Sequence, residues 1–155
     1  LTEGIVNQIF LDFIVLLIEA ELRNSEIHGI GLFCREAIPR GTKVWAFNPL
    51  FDIVIDQEKL KSLPASVITF MKMYAYRSRN TGELIVNVDL SKHMNHSDTP
   101  NLTSDEDSNY YTVRDLPAGT ELTCDYRAFC VEGCADFLDQ PEESDERIFG
   151  LAAKG

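Results

Sequence analysis

The chain has 155 residues, 45% of them hydrophobic, enough for one domain with a substantial core. Lys and Arg number 14 against 25 Asp and Glu, a net charge of −11. That balance excludes the basic footprint of direct nucleic-acid binding and favours a basic partner, such as a Lys- or Arg-rich protein, with a charged, solvated surface as the plainer explanation.

In chain order, Ile5, Ile9 and Phe13 stand at helical spacing, and Ile18, Ala20 and Leu22 alternate. The first 24 residues therefore predict a short helix running into a strand, closed by a turn at Asn24-Ser25. The apolar run Ile9 to Ile18 carries Asp12 and falls short of the roughly 20 residues that span a bilayer, so no membrane segment is expected. Gly29 and Gly31, one residue apart, predict either positive φ or a close approach by another group. They do not make a dinucleotide fingerprint, because Cys34 stands where the third glycine is needed and no helix follows.

Strands are predicted at Lys43 to Phe47 and Phe51 to Ile55, on either side of Asn48-Pro49. A short helix over Glu58 to Leu63 follows, capped by Asp56 and stopped by Pro64. A longer helix over Ser66 to Arg77 places Val67, Phe70, Met71 and Tyr74 on one core-facing side. Asn80-Thr81-Gly82 turns into a strand at Leu84 to Asp89. Tyr110 to Arg114 and Thr120 to Cys124 predict a hairpin across Leu116-Pro117-Ala118-Gly119. Glu132 to Arg147, with seven acids and one base, predicts a solvated tail. Neither a repeat nor an internal boundary interrupts the chain, so one domain over residues 1–155 is expected.

The segment Lys92 to Asn101 is the most unusual. Its polar side chains favour local hydrogen bonds and break both the helical and the strand period, and Thr99-Pro100-Asn101 predicts a turn. It predicts a functional loop. His93, His96 and Asp98 offer metal ligands, but Pro100 and the composition argue against a helix that would gather the histidines. Cys130-x₃-Cys134 lacks a second cysteine pair, so no metal site is expected. Ser97 beside His96 is not a hydrolase signature, since no Gly-x-Ser-x-Gly elbow exists. Four cysteines, with neither a basic start nor a small-residue cleavage site, lead to the expectation of reduced thiols in the cytoplasm.

Three pieces, taken in order, resemble a known family. They are His28-Gly-Ile-Gly-Leu-Phe33, Asn95-His96-Ser97-Asp98-Thr99-Pro100-Asn101, and Gly119-Thr-Glu-Leu-Thr-Cys-Asp125-Tyr126. Together they resemble the SET domain of protein-lysine methyltransferases, most nearly the compact bacterial type, over about Ile27 to Phe129. Asp98, Thr120 and Cys124 depart from the family pattern. The segments before Asn24 and after Phe129, the acidic 130–155 among them, lie outside the resemblance.

The resemblance implies a mainly β fold of small sheets, in which the Asn-His segment and the C-terminal Tyr segment form a pseudoknot. It implies S-adenosyl-L-methionine as cofactor and the side-chain amine of a protein lysine as methyl acceptor. Gly29, Ile30, Gly31, Asn95, His96 and Tyr126 would then bind the cofactor, joined by Tyr76 and by Phe129 stacking on adenine. Core packing explains Phe129 equally well. Tyr126 would be the catalytic residue, orienting the amine through its hydroxyl. Cys124, where the family commonly has Phe or Tyr, would line the lysine channel with Phe47 and Tyr74. Asp98 in place of the family's cysteine removes a zinc ligand. A different reading is a binding module that keeps the fold, and the cofactor with it, without turnover.

Overall fold

The computed structural model describes residues 15–49, 51–56 and 63–131. The predicted N-terminal helix, the body of the helix predicted over Glu58 to Leu63, and the acidic tail from Glu132 lie outside the described residues. Within them the chain forms two compact units, 15–52 with 87–125, and 53–56 with 63–86 and 126–131. Short strands dominate both.

The first unit is built on a hairpin of β1 (Ala20–Asn24) and β2 (Ile30–Cys34), antiparallel with Arg23 opposite Gly31 and Glu21 opposite Phe33. Its loop closes through Ser25. The Ser25 N–H donates to the Gly29 carbonyl at 2.9 Å, and the Ser25 hydroxyl oxygen accepts from the amides of Ile27 at 2.9 Å and His28 at 3.3 Å. Gly29 sits at φ +48°, a conformation that side chains with a Cβ rarely adopt. On the outer face, Arg23 pairs with Glu21 and lies over the Phe33 ring, 5.1 Å from its centroid.

A three-stranded sheet follows, ordered β3 (Lys43–Trp45), β9 (Tyr110–Thr112), β8 (Leu102–Ser104), with β9 antiparallel to both neighbours. The β8–β9 connection is knit by Asp105, whose carboxylate accepts from the Asp107 and Asn109 amides and from the Asn109 side chain. The predicted hairpin between Tyr110 to Arg114 and Thr120 to Cys124 does not form. β9 pairs with β3 and β8, while β10 (Thr123–Cys124) lies parallel to β7 (Asn95–His96). The turn residues at 116–119 do reverse the chain, but the reversal docks on β2: Gly119 N–H donates to the Cys34 carbonyl at 2.7 Å, and Leu122 N–H to Leu32 at 2.7 Å. Turn chemistry specifies where a chain reverses, and the buried apolar set Leu32, Leu116 and Leu122, each at most 2% exposed, selects the partner.

The parallel β7–β10 pair is the crossing that the family resemblance implies. Asn101 ties it down. Its Nδ2 donates to the Glu121 carbonyl at 2.7 Å, and its Oδ1 accepts from the Thr123 amide at 2.9 Å. Its own N–H donates to the Thr123 hydroxyl at 3.2 Å. Asn101 is buried, and a buried amide is tolerable only when its groups are satisfied in this way.

The second unit contains most of a sheet ordered β4 (Asp52–Ile55), β6 (Leu84–Asn87), β5 (Ala75–Arg77). Helix α1 (Ala65–Tyr74) starts directly after Pro64, whose carbonyl accepts from the Val67 and Ile68 amides. The prediction carried this helix to Arg77, but Ala75 is extended, at φ −81° and ψ 146°, and residues 75–77 pair with β6 instead. Tertiary pairing overrides the local helical pattern there. The buried face also differs from the predicted one: Ile68 and Met71 pack with Leu84 and Val86, while Val67 and Phe70 are exposed. A four-residue helix, α2 (Tyr126–Phe129), closes the described chain. Cys34 and Cys124 are free and buried. Among the described residues, no helix is long and apolar enough to cross a membrane.

Candidate functional site

The first unit gathers the two glycines, Ile30, Asn95, His96 and Cys124. The 3₁₀ turn Leu90–His93 leads into β7, so the segment predicted as a functional loop is a tight turn followed by a two-residue strand. Met94, the one large apolar side chain in that segment, is buried and anchors it. Asn95 is buried as well, at 8% exposure. Its Nδ2 donates to the carbonyls of His28 at 3.1 Å and Ile30 at 3.5 Å and to Glu121 Oε1 at 2.7 Å. The loop between the hairpin strands and the Asn-His segment are thereby joined by one amide group.

The two glycines do different work. Nothing lies within 4 Å of a Cβ built at Gly29, so that glycine answers to its backbone angle. At Gly31 a Cβ would collide with the Glu121 carboxylate, whose Cδ would be 2.7 Å away. Glu121 carried no predicted role. The signal was present in the sequence, since a glycine required by close approach implies a bulky group opposite it. Glu121 accepts from the Ser25 hydroxyl at 2.8 Å as well as from Asn95, and its backbone bridges to Phe33.

His96 is half-buried between two carboxylates, with Nε2 3.6 Å from Asp98 and Nδ1 3.7 Å from Asp125. Cys124 lies opposite His96 in the β7–β10 register and is 4% exposed. Burial, reinforced by the Asp125 charge, pushes its thiol up to about 12, so it stays protonated at neutral pH. It behaves there as a small apolar side chain. Burial, with Lys92 beside it, also holds the His93 imidazole below its usual range. Among the described residues, no three His, Cys, Asp or Glu side chains cluster as metal ligands.

The second unit gathers the aromatic candidates. Tyr76 and Phe129 meet edge to face with centroids 5.0 Å apart, and Tyr126 meets Phe129 in the same manner at 5.7 Å. The α2 backbone is tied to β5 and the turn after it, Arg79 N–H donating to the Phe129 carbonyl at 2.7 Å and Val131 N–H to Arg77 at 3.1 Å. Tyr74 is half-buried and packs on Phe70, its centroid 5.0 Å away. Phe47, half-buried beyond the end of β3 in the first unit, takes no part in the contacts around Asn95 described above.

A family model, the SET domain, matches residues 29–127. Among solved structures, a humanized mutant of the Chaetomium thermophilum Polycomb Repressive Complex 2, bound to an inhibitor, is 21% identical over 72% of this chain, with a TM-score of 0.52. The match spans 15% of that chain. A Plasmodium falciparum protein provisionally named a histone methyltransferase is 18% identical, with 72% of this chain and 95% of that one covered and a TM-score of 0.48. A search of curated proteins finds no match.

Proposed function

This chain belongs to the SET-domain family, and from that membership we propose that it transfers methyl groups from S-adenosyl-L-methionine to the side-chain amine of lysine in a protein. The observation that carries the reading is the Asn95 amide, which is buried, bonded to the hairpin loop and held in a single orientation. An amide fixed in that way suits the polar amino-acid end of the cofactor, and the Gly29 to Gly31 backbone beside it offers further polar groups without bulk. His96 would contribute through its backbone, and Tyr76 and Phe129 would supply an aromatic surface for the adenine.

The cofactor, when bound, supplies an electrophilic methyl group. The chain has three tasks around it. It must receive the lysine as a neutral amine, since the ammonium, with an ordinary pKa of about 10.4, has no lone pair to attack with. It must align that amine, which is Tyr126's task through its hydroxyl. It must also exclude bulk from the channel, for which the small, protonated Cys124 is suited. A basic substrate protein is consistent with the net charge of −11.

Calorimetry with S-adenosyl-L-methionine and its demethylated product is expected to give binding near one per chain. Incubation with labelled cofactor and a cell lysate should then label lysine side chains. A folded sample with no binding at millimolar ligand would defeat the reading; binding without any transfer would leave a cofactor-binding module. Asn95→Ala is expected to weaken cofactor binding about tenfold, the scale of one lost hydrogen bond to a charged group.

Cys124 governs a separate expectation. In the resembled family a Tyr at this position restricts products to one methyl. A thiol is smaller than a ring and a weak donor, so the wild type should reach di- or trimethyl-lysine. Cys124→Tyr should shift the product to the monomethyl form by mass spectrometry at full turnover. Monomethyl-lysine alone from wild type, unchanged in Cys124→Ala, would show that another residue sets the limit.

A further inference from the structure

We infer that Glu121 is the positioning residue of the cofactor site: its carboxylate fixes the Asn95 amide so that Oδ1 is presented to the cofactor's ammonium group. The inference rests on the cofactor-dependent reading above and deepens it.

An asparagine amide can turn over, and which end faces which neighbour is decided by its partners. Three oxygens face Asn95 Nδ2, those of His28, Ile30 and Glu121. Turning the amide over would set Oδ1 against all three. Glu121 makes the shortest of these contacts, at 2.7 Å, and is the only charged one. The orientation therefore depends chiefly on Glu121. Among the described residues no group donates to Oδ1, so that atom is left as an acceptor in a buried side chain.

Glu121 is itself held. Ser25 Oγ donates to its carboxylate, at 2.8 Å from Oε1 and 3.0 Å from Oε2. Gly31 supplies the space, because a side chain there would occupy the position of the carboxylate. The space that a Cβ at Gly31 would fill is taken by the Glu121 carboxylate. Ser25, Gly31, Glu121 and Asn95 form one relay from the hairpin loop to the acceptor atom. A carboxylate bonded to the far end of the amide strengthens Oδ1 as an acceptor and biases it toward a cationic donor. The α-ammonium is the cationic donor of S-adenosyl-L-methionine.

The test has a ligand-free arm and a binding arm. In ¹⁵N-labelled protein, the Asn95 side-chain amide pair, identified by its loss in Asn95→Ala, should exchange slowly with solvent. In Glu121→Ala it should shift and exchange about tenfold faster. Calorimetry should show S-adenosylhomocysteine binding about tenfold weaker in Glu121→Ala and in Gly31→Ala. Methylthioadenosine, which lacks the ammonium, should bind all variants as it binds wild type. The double variant should be no weaker than either single one, because both remove the same contact. Unchanged amide exchange, equal losses for both ligands, or additive losses would each overturn the positioning role. If wild type binds neither ligand, the proposed function fails by itself, and the amide exchange still decides whether Glu121 holds Asn95.

Discussion

Tyr126→Phe is expected to lower methyl transfer about a hundredfold or more while leaving folding and cofactor affinity near those of wild type. The ring opens α2 and is held edge to face against Phe129 at 5.7 Å, a contact that phenylalanine keeps. Only the hydroxyl is lost, and little volume changes with it. If that hydroxyl orients the attacking amine, the loss falls on kcat in single-turnover assays with labelled cofactor, not on cofactor dissociation. Turnover near that of wild type would leave Tyr126 as a packing residue. A parallel fall in thermal stability would assign the loss to damage in the Tyr76–Phe129–Tyr126 trio instead.

The fold class and the first half of the site were legible in the sequence because they rest on short-range chemistry. Gly29 needs positive φ, Gly31 needs room, and Asn95 to Asn101 has a composition that suits neither regular period; each signal is local. What the sequence did not show is set by partners far along the chain. Glu121 is 96 residues from Ser25 and 26 from Asn95, so only the folded chain reveals that it organises the site. The strand β8 was missed because Leu102–Ser104 is three residues long and only Leu102 is buried. The hairpin across Pro117 was misassigned for the complementary reason: a correct turn said nothing about which strand receives it. Helix α1 ran too far in the prediction because Ala75–Arg77 lacks a local stop signal, and its end is imposed by pairing with β6.

Asp52 was read only as part of a strand, yet it bears the largest expected effect on stability. It is 1% exposed, and its Oδ2 accepts from the Asn48 amide at 2.8 Å. Its Oδ1 is buried without a partner, as are Asn87 Oδ1 and Asp89 Oδ2. Burial raises its carboxyl from 3.8 to about 6; the Asn48 amide opposes that shift and the Asp89 charge adds to it. The folded chain thus holds this proton more tightly than the unfolded chain does. The stability it contributes is fully present below pH 3.8 and is lost as pH rises through about 6. The displacement corresponds to at most about 3 kcal/mol. Glu21 and Asp105, held below their ordinary values by Arg23 and Asn109, act in the opposite sense at lower pH; Asp105 is exposed and Glu21 half-exposed. Asp52→Asn keeps an acceptor for Asn48 and carries no charge. It is expected to raise stability at pH 7.5 by an amount approaching that figure, and to remove the decline between pH 4 and 6. Urea unfolding across that range measures both. A variant less stable than wild type at pH 7.5, or one with the same decline, would show that Asp52 is favoured as a carboxylate in the folded chain.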